Sequence, residues 1–358
     1  MKAVITRFSV LLGALLTCSA AAGESVTLTI LEPSEDRWMY PSNGTPGFRA
    51  QASTFSALPA AGDQDDRFGQ FIVKFDTESA GIPTGLGAEN YEINSISLSA
   101  VIAQDRLFRY DPSEDHWSTY GYLALPDADS GRPLELFGTG FRNENEASTF
   151  TETSPMGDAS RGKRNAYALG FDPSGAPRDV SNNVTDGFEP APWAIAEISG
   201  LSTGDLVPVD TTVIYHISHG QADIGRYLRE SLNQGFIWLT VTSLHPALQQ
   251  GGEFVSYYTK EDPVHELFGD SAPRLSISYN LPELGFNSFE RKSSGEVALS
   301  FVALPGFSYV LQASPDLTEN SWMDLETFST QTARSFSWQQ NSPQEKRFFR
   351  LSRTPLSL

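Results

Sequence analysis

The stretch Arg67-Phe68-Gly69-Gln70-Phe71-Ile72-Val73-Lys74-Phe75-Asp76 decides the fold class. Phe71, Val73 and Phe75 fall on one side of a period-two pattern, and Gln70, Lys74 and Asp76 share the other with Ile72, the pattern of a half-buried strand. Such a strand needs an opposing apolar layer. Leu275-Ser276-Ile277-Ser278-Tyr279, far along the chain, alternates in the complementary way, as do Ile96 and Leu98 between Ser95, Ser97 and Ser99. Val26–Leu31, Thr211–Ile217, Phe236–Val241 and Phe254–Tyr258 read as further strands. The sequence predicts one helix. Asp223 is placed to cap it, Ile224, Tyr227, Leu228 and Leu232 share a face, and Gly235 sits at the stop. Many strands and one short helix predict an all-β fold, a β-sandwich with a helical crossover.

Two regions resist this reading. Glu32 to Gly69 is dense in Pro, Gly, Ser, Asn and Asp and reads as loop with short extended pieces. Pro126 to Pro192 has few apolar runs, and is either a binding loop or a set of short strands.

At the amino end, Lys2 and Arg7 precede the apolar run Phe8–Leu16, and Ala20-Ala21-Ala22 precedes Gly23. This is the pattern of a secretory signal peptide over residues 1–22, with an uncleaved anchor or lipidation at Cys18 as the alternatives. Cys18 is the only cysteine, so a cleaved chain carries no thiol and no disulfide, which suits a bacterial exoprotein at the cell surface, in the periplasm or secreted. No later segment is apolar and long enough to span a membrane.

The net charge of −19 becomes −21 without Lys2 and Arg7. From Leu281 onward seven basic residues meet eight acidic ones, so residues 23–280 carry −20 and residues 281–358 only −1. That break marks a boundary between a first domain, 23–280, and a C-terminal one, 281–358, in which Glu296–Phe301, Tyr309–Ala313, Trp322–Phe328, Arg334–Trp338 and Arg347–Leu351 read as the strands of a second, smaller β-sandwich. The acidity of the first domain disfavours nucleic acid and anionic membrane as partners. It suits cations or solubility in a saline medium.

Sugar-binding surfaces stack an aromatic ring on a pyranose face and surround it with carboxylates or amides. Trp117, Tyr120 and Tyr122, with Asp111, Asp115 and His116, have that composition, and Trp38 with Tyr40 is a weaker version. Packing of these rings on the sandwich edge is the competing reading. Calcium is the cofactor that Asp63, Asp65 and Asp66 and the Asp127 and Asp129 turn suit, although no Glu stands at the twelfth position from Asp127, and both segments also read as solvated turns. His216 and His219 stand at a strand end without the Glu of a zinc motif. A nucleophile elbow, a phosphate loop and a dinucleotide fingerprint are all missing, so nothing in the sequence marks a catalyst.

The strand Arg67–Asp76 and the closing Ala272-Pro273-Arg274-Leu275-Ser276-Ile277-Ser278-Tyr279 resemble the DNRLRE-type jelly-roll modules of bacterial exoproteins. That resemblance implies a jelly-roll-like β-sandwich and a polysaccharide ligand. The C-terminal segment, with Tyr309-Val310-Leu311-Gln312-Ala313-Ser314-Pro315-Asp316-Leu317, Trp322 and Arg347-Phe348-Phe349-Arg350-Leu351, resembles a small module that recurs at the ends of bacterial exported proteins and implies display or accessory packing. The leading expectation is a non-catalytic polysaccharide-binding protein. The alternatives are a structural or adhesive surface protein without a defined sugar, and a polysaccharide hydrolase or lyase.

Overall fold

A computed structural model describes residues 25–120, 125–280, 284–292, 296–304, 307–330, 334–341 and 348–355. The chain folds as two compact units, Ser25–Leu281 and Pro282–Leu358. The expected leader, residues 1–22, lies outside the described residues.

In the first unit β1 (Ser25–Ile30), β2 (Glu35–Met39) and β3 (Gln51–Ser56) precede β4 (Arg67–Asp76) and β5 (Glu92–Val101). The region 126–192 resolves into strands rather than one loop: β6 (Leu134–Phe141), β7 (Ala166–Phe171) and β8 (Pro177–Asp179), followed by a single helical turn, α1 (Asn183–Asp186). Then come β9 (Ala194–Glu197), β10 (Thr212–His216), α2 (Ala222–Gln234), β11 (Phe236–Ser243), β12 (Val255–Tyr258), α3 (Pro263–Phe268) and β13 (Arg274–Asn280).

These strands form one curled antiparallel sheet in the order β1-β13-β5-β10-β9-β6-β11-β4-β3-β12, with β2 on β4 and β7 and β8 beyond β6. At one margin β9 pairs with both β10 and β6. At the other, Ile102 after β5 bridges Tyr257 of β12, so the sheet folds back on itself as a sandwich. Phe71, Val73 and Phe75 of β4 stand in register with Val241, Leu239 and Ile237 of β11. With Ile96, Leu98, Tyr215, Leu275 and Ile277 they form the buried interior, each large apolar side chain contributing about 1.5–3 kcal/mol. Leu275 faces Leu98 and Ile277 faces Ile96 across β13 and β5, and a one-residue slip of β13 would turn its apolar set outward.

β4 departs from the half-buried strand that its sequence predicts, because both of its faces are covered. Ile72 and Gln70 are fully buried, and Ile72 belongs to a second apolar cluster with Met39, Phe150, Ala166 and Trp238. Phe150 comes from the segment between β6 and β7, which lies across the outer face of the sheet.

The helix α2 buries Ile224, Leu228 and Leu232 and ends at Gly235 in the left-handed conformation, φ 92°. Its N-cap is Gln221 rather than Asp223, whose carboxylate sits in the first turn 3.1 Å from Arg226. α2 is also not the single helix that the sequence suggests. α3 begins at Asp262, which accepts from Val264 N at 2.8 Å, with Pro263 at the first helical position. His265 stands on α3, and His245, in the loop after β11, is buried.

The second unit consists of β14 (Ser288–Arg291), β15 (Glu296–Ala303), β16 (Phe307–Ser314), β17 (Met323–Ser329), β18 (Arg334–Asn341) and β19 (Phe348–Pro355). Two three-stranded sheets, β14-β15-β18 and β17-β16-β19, enclose Val297, Leu299, Leu311 and Trp338. Phe328 and Phe336 stack at 4.0 Å. β14 is the strand that the alternation did not reveal. No helix among the described residues is long and apolar enough to cross a membrane.

Candidate functional site

The acidic residues that stand apart in sequence converge beyond the end of β5. The chain after Val101 is tied to the segment before β10, with Arg106 N donating to Val207 O at 2.8 Å and Tyr110 N to Asp205 O at 2.8 Å. This holds Tyr110 rigidly, and Ile198 N donates to its hydroxyl at 3.2 Å. Asp111 then forms an Asx turn, its Oδ1 accepting from Ser113 N at 2.9 Å and Ser113 Oγ at 2.6 Å. The 127–131 turn comes close because it ends in Gly131, with φ +127°, where a Cβ would stand 2.9 Å from Asp111 Cβ. One carboxylate oxygen each from Asp111, Asp115 and Asp129 lie within 4.8 Å of one another.

Arg132 organises the far side of this cluster. Its Nη1 donates to Asp115 Oδ2 at 2.8 Å and Asp127 Oδ2 at 2.7 Å, and its guanidinium lies 4.4 Å above the Tyr120 ring. Tyr120 OH donates to the same Asp115 oxygen at 3.0 Å. Burial raises the Asp115 carboxyl to about 6, against the lowering by Arg132 and Tyr120, with Asp127 adding to the rise. Asp111 is also raised, chiefly by burial; Ser113 opposes the rise, and Asp129 and Asp127 add to it.

The predicted sugar-binding residues separate. Tyr120 is a buried ring packed with Val184 and Leu244, so it offers no stacking face. Trp117 is half-buried on a helical turn capped by His116, whose Nδ1 accepts from Ser118 N, and the two rings lie 5.5 Å apart. His116 Nε2 reaches Glu189 Oε1 at 2.9 Å. Tyr122 lies outside the described residues. Trp38 and Tyr40 stack at 4.8 Å, half-buried against Phe55 and Phe68. Beside Asp111, Tyr110 and Pro112 line an open groove with Glu197, Ile214 and His216 from β9 and β10.

The predicted cation residues also divide. Asp65 is buried against Arg164 at 2.5 Å and accepts from Gly162 N and Asn182 Nδ2, while Asp66 accepts from Thr185 N and Oγ1. These carboxylates fasten residues 161–186 to the start of β4 and have their partners in the protein. Asp63 is exposed. Asp127 is held by Arg132, which leaves Asp129 as the member of its turn that faces Asp111 and Asp115.

Sequence reading did not find a second acidic group, Asp36, Glu152 and Glu261, because its members come from three distant segments. Glu35 joins it through Glu152 N, and Lys74, Lys260 and Arg37 supply the positive charge. Four carboxylates face three cations. Burial, ahead of the neighbouring Glu261 carboxylate, raises Asp36 well above the usual range, against the lowering by Lys260. Because the folded-state value lies above that of the unfolded chain, near 4, this group's contribution to stability falls as pH rises from there through the raised value. Asp36→Asn should remove that loss. We expect its melting temperature, relative to the unaltered protein, to climb between pH 4 and 8 by about 2–4 °C for each kcal/mol regained. A difference that stays flat with pH would show that Asp36 ionises normally.

Fold and site together define an all-β, sandwich-type protein with a carboxylate cluster beside an open groove. In comparison with known proteins, the chain matches no family model, no curated protein and no solved structure.

Proposed function

We propose that this is an exported, non-catalytic protein whose first unit binds extracellular polysaccharide along the groove between Tyr110 and His216. One observation carries the reading: within the eight residues from Tyr110 to Trp117 the chain lines the groove, supplies two of the clustered carboxylates and presents a half-buried indole. An apolar ring beside hydroxyl- and carboxylate-bearing groups is what a sugar's apolar face and polar rim require. Hydrolysis fits less well. Asp115, one of the three clustered carboxylates, is already engaged by Arg132 and Tyr120. The likeness of Arg67–Asp76 and Ala272–Tyr279 to DNRLRE-type modules supports the same ligand class.

The test is retardation of the purified protein in native gels cast with neutral and acidic polysaccharides. We expect one polymer class to slow it, and Trp117→Ala or Ile214→Asp to lower the apparent affinity roughly tenfold, the loss of about 1.4 kcal/mol of contact. Retardation by no polymer, or undiminished retardation of both variants, would refute the assignment to this face.

A further inference from the structure

We infer that Asp111, Asp115 and Asp129 form a binding site for a hard divalent cation. The inference does not depend on the polysaccharide reading. Two independent features distinguish this cluster from an ordinary acidic surface. The first is an uncommitted buried oxygen: Asp111 is only 2% exposed, its Oδ1 takes both Ser113 donors, and its Oδ2 has no hydrogen-bond partner among the described residues. A buried carboxylate oxygen left without a donor or cation carries an unreturned desolvation cost. Asp111 contributes to the cluster in which the three oxygens converge.

The second feature is charge. Asp111, Asp115, Asp127 and Asp129 are balanced within the cluster by Arg132 alone, a net of three negative charges, and no other ion pair to them occurs among the described residues. A single proton cannot offset that excess, whereas a divalent ion reduces it to one. The Asp36 cluster differs in this respect, since Lys74, Lys260 and Arg37 already bring it within one charge of neutrality.

Hard divalent cations take carboxylate oxygens of this kind, and one from each of the three aspartates lies within 4.8 Å of the others. Ser113 Oγ, 3.1 Å from Asp129 Oδ2, adds a neutral oxygen at the rim, and solvent can complete the six to eight ligands calcium takes. Arg132 has a positioning role: by holding Asp115 and Asp127 it sets the first carboxylate towards the site and keeps the second out of it.

Terbium luminescence tests this directly, because Tyr120, whose hydroxyl lies 3.0 Å from Asp115, can sensitise an ion there. We expect the full-length protein to give a saturable terbium signal that calcium displaces. Asp129→Asn and Asp111→Asn should each weaken both ions by at least roughly tenfold, and Glu261→Gln, in the other acidic group, should leave them unchanged. The exposed Asp129 variant decides the question if Asp111→Asn fails to fold by circular dichroism. No saturable signal, or wild-type affinity in the folded variants, overturns the inference. Polysaccharide retardation is a separate readout, so either proposal can fail alone.

Discussion

Replacing Arg67 with Met should destabilise the first unit by about 3–5 kcal/mol, the cost of leaving a buried carboxylate unpaired. Arg67 has no exposed surface, and its guanidinium donates to Glu135 Oε2 at 2.6 Å, Thr242 Oγ1 at 3.2 Å and Val180 O at 2.8 Å, with Asn183 Oδ1 as a further acceptor. These partners belong to β6, β11 and the segment that leads into α1, so one side chain joins β4 to three elements. The same geometry makes the loss asymmetric. In Arg67→Met the Glu135 charge stays in the interior, with Thr242 Oγ1 at 3.4 Å as its remaining hydrogen-bond partner. In the double variant Arg67→Met with Glu135→Leu no charge is stranded, and most of the stability should return. Urea denaturation of both single variants and the double variant measures the cycle. A single-variant loss under about 1 kcal/mol would mean that water or a rearranged neighbour already solvates Glu135.

That pair also shows where sequence reading stopped. Arg67 was legible as the first residue of a strand, and the alternating apolar positions of β4, β5, β10, β11 and β13 were legible because each faces the interior at period two. β6 was not, since Leu134-Glu135-Leu136-Phe137-Gly138-Thr139-Gly140-Phe141 carries two glycines and a glutamate. The structure supplies their reasons. A Cβ on Gly138 would stand 2.3 Å from the Trp193 ring, and one on Gly140 2.4 Å from Tyr167, so both glycines admit rings arriving from distant segments. Glu135 is tolerated because Arg67 reaches it. None of these partners is within pattern-reading range of β6. α3 is different, because its signal, Asp262 followed by Pro263, was present and local. For the site, the residue types at 111–117 and 127–129 were legible as two separate features. Their convergence depends on Gly131 and Arg132, and the groove on β9 and β10, which no spacing along the chain encodes.

Trp238→Ala should be comparably damaging, about 3–5 kcal/mol, and it separates the two readings of the segment between β6 and β7. Trp238 is 1% exposed on β11. Its ring packs edge-on against Phe141 and Phe150 at 5.6 and 5.7 Å, its Nε1 donates to Ala147 O at 2.8 Å, and Lys74 Nζ lies 5.2 Å from the ring. The indole thus anchors that segment by both area and a directed hydrogen bond, and the segment in turn keeps Ile72 and Met39 from water. If the segment is structural cover, the truncated side chain opens a cavity beneath it, and global stability and local protection fall together. We expect a drop of roughly 6–20 °C in melting temperature at 2–4 °C per kcal/mol, with faster tryptic cleavage at Arg161 and Lys163. A binding loop resting on an independently stable sheet would give the faster cleavage with little change in melting temperature. The fully buried Ile72 argues for the first outcome, because an alternating strand whose second face is also dry needs a permanent layer above it.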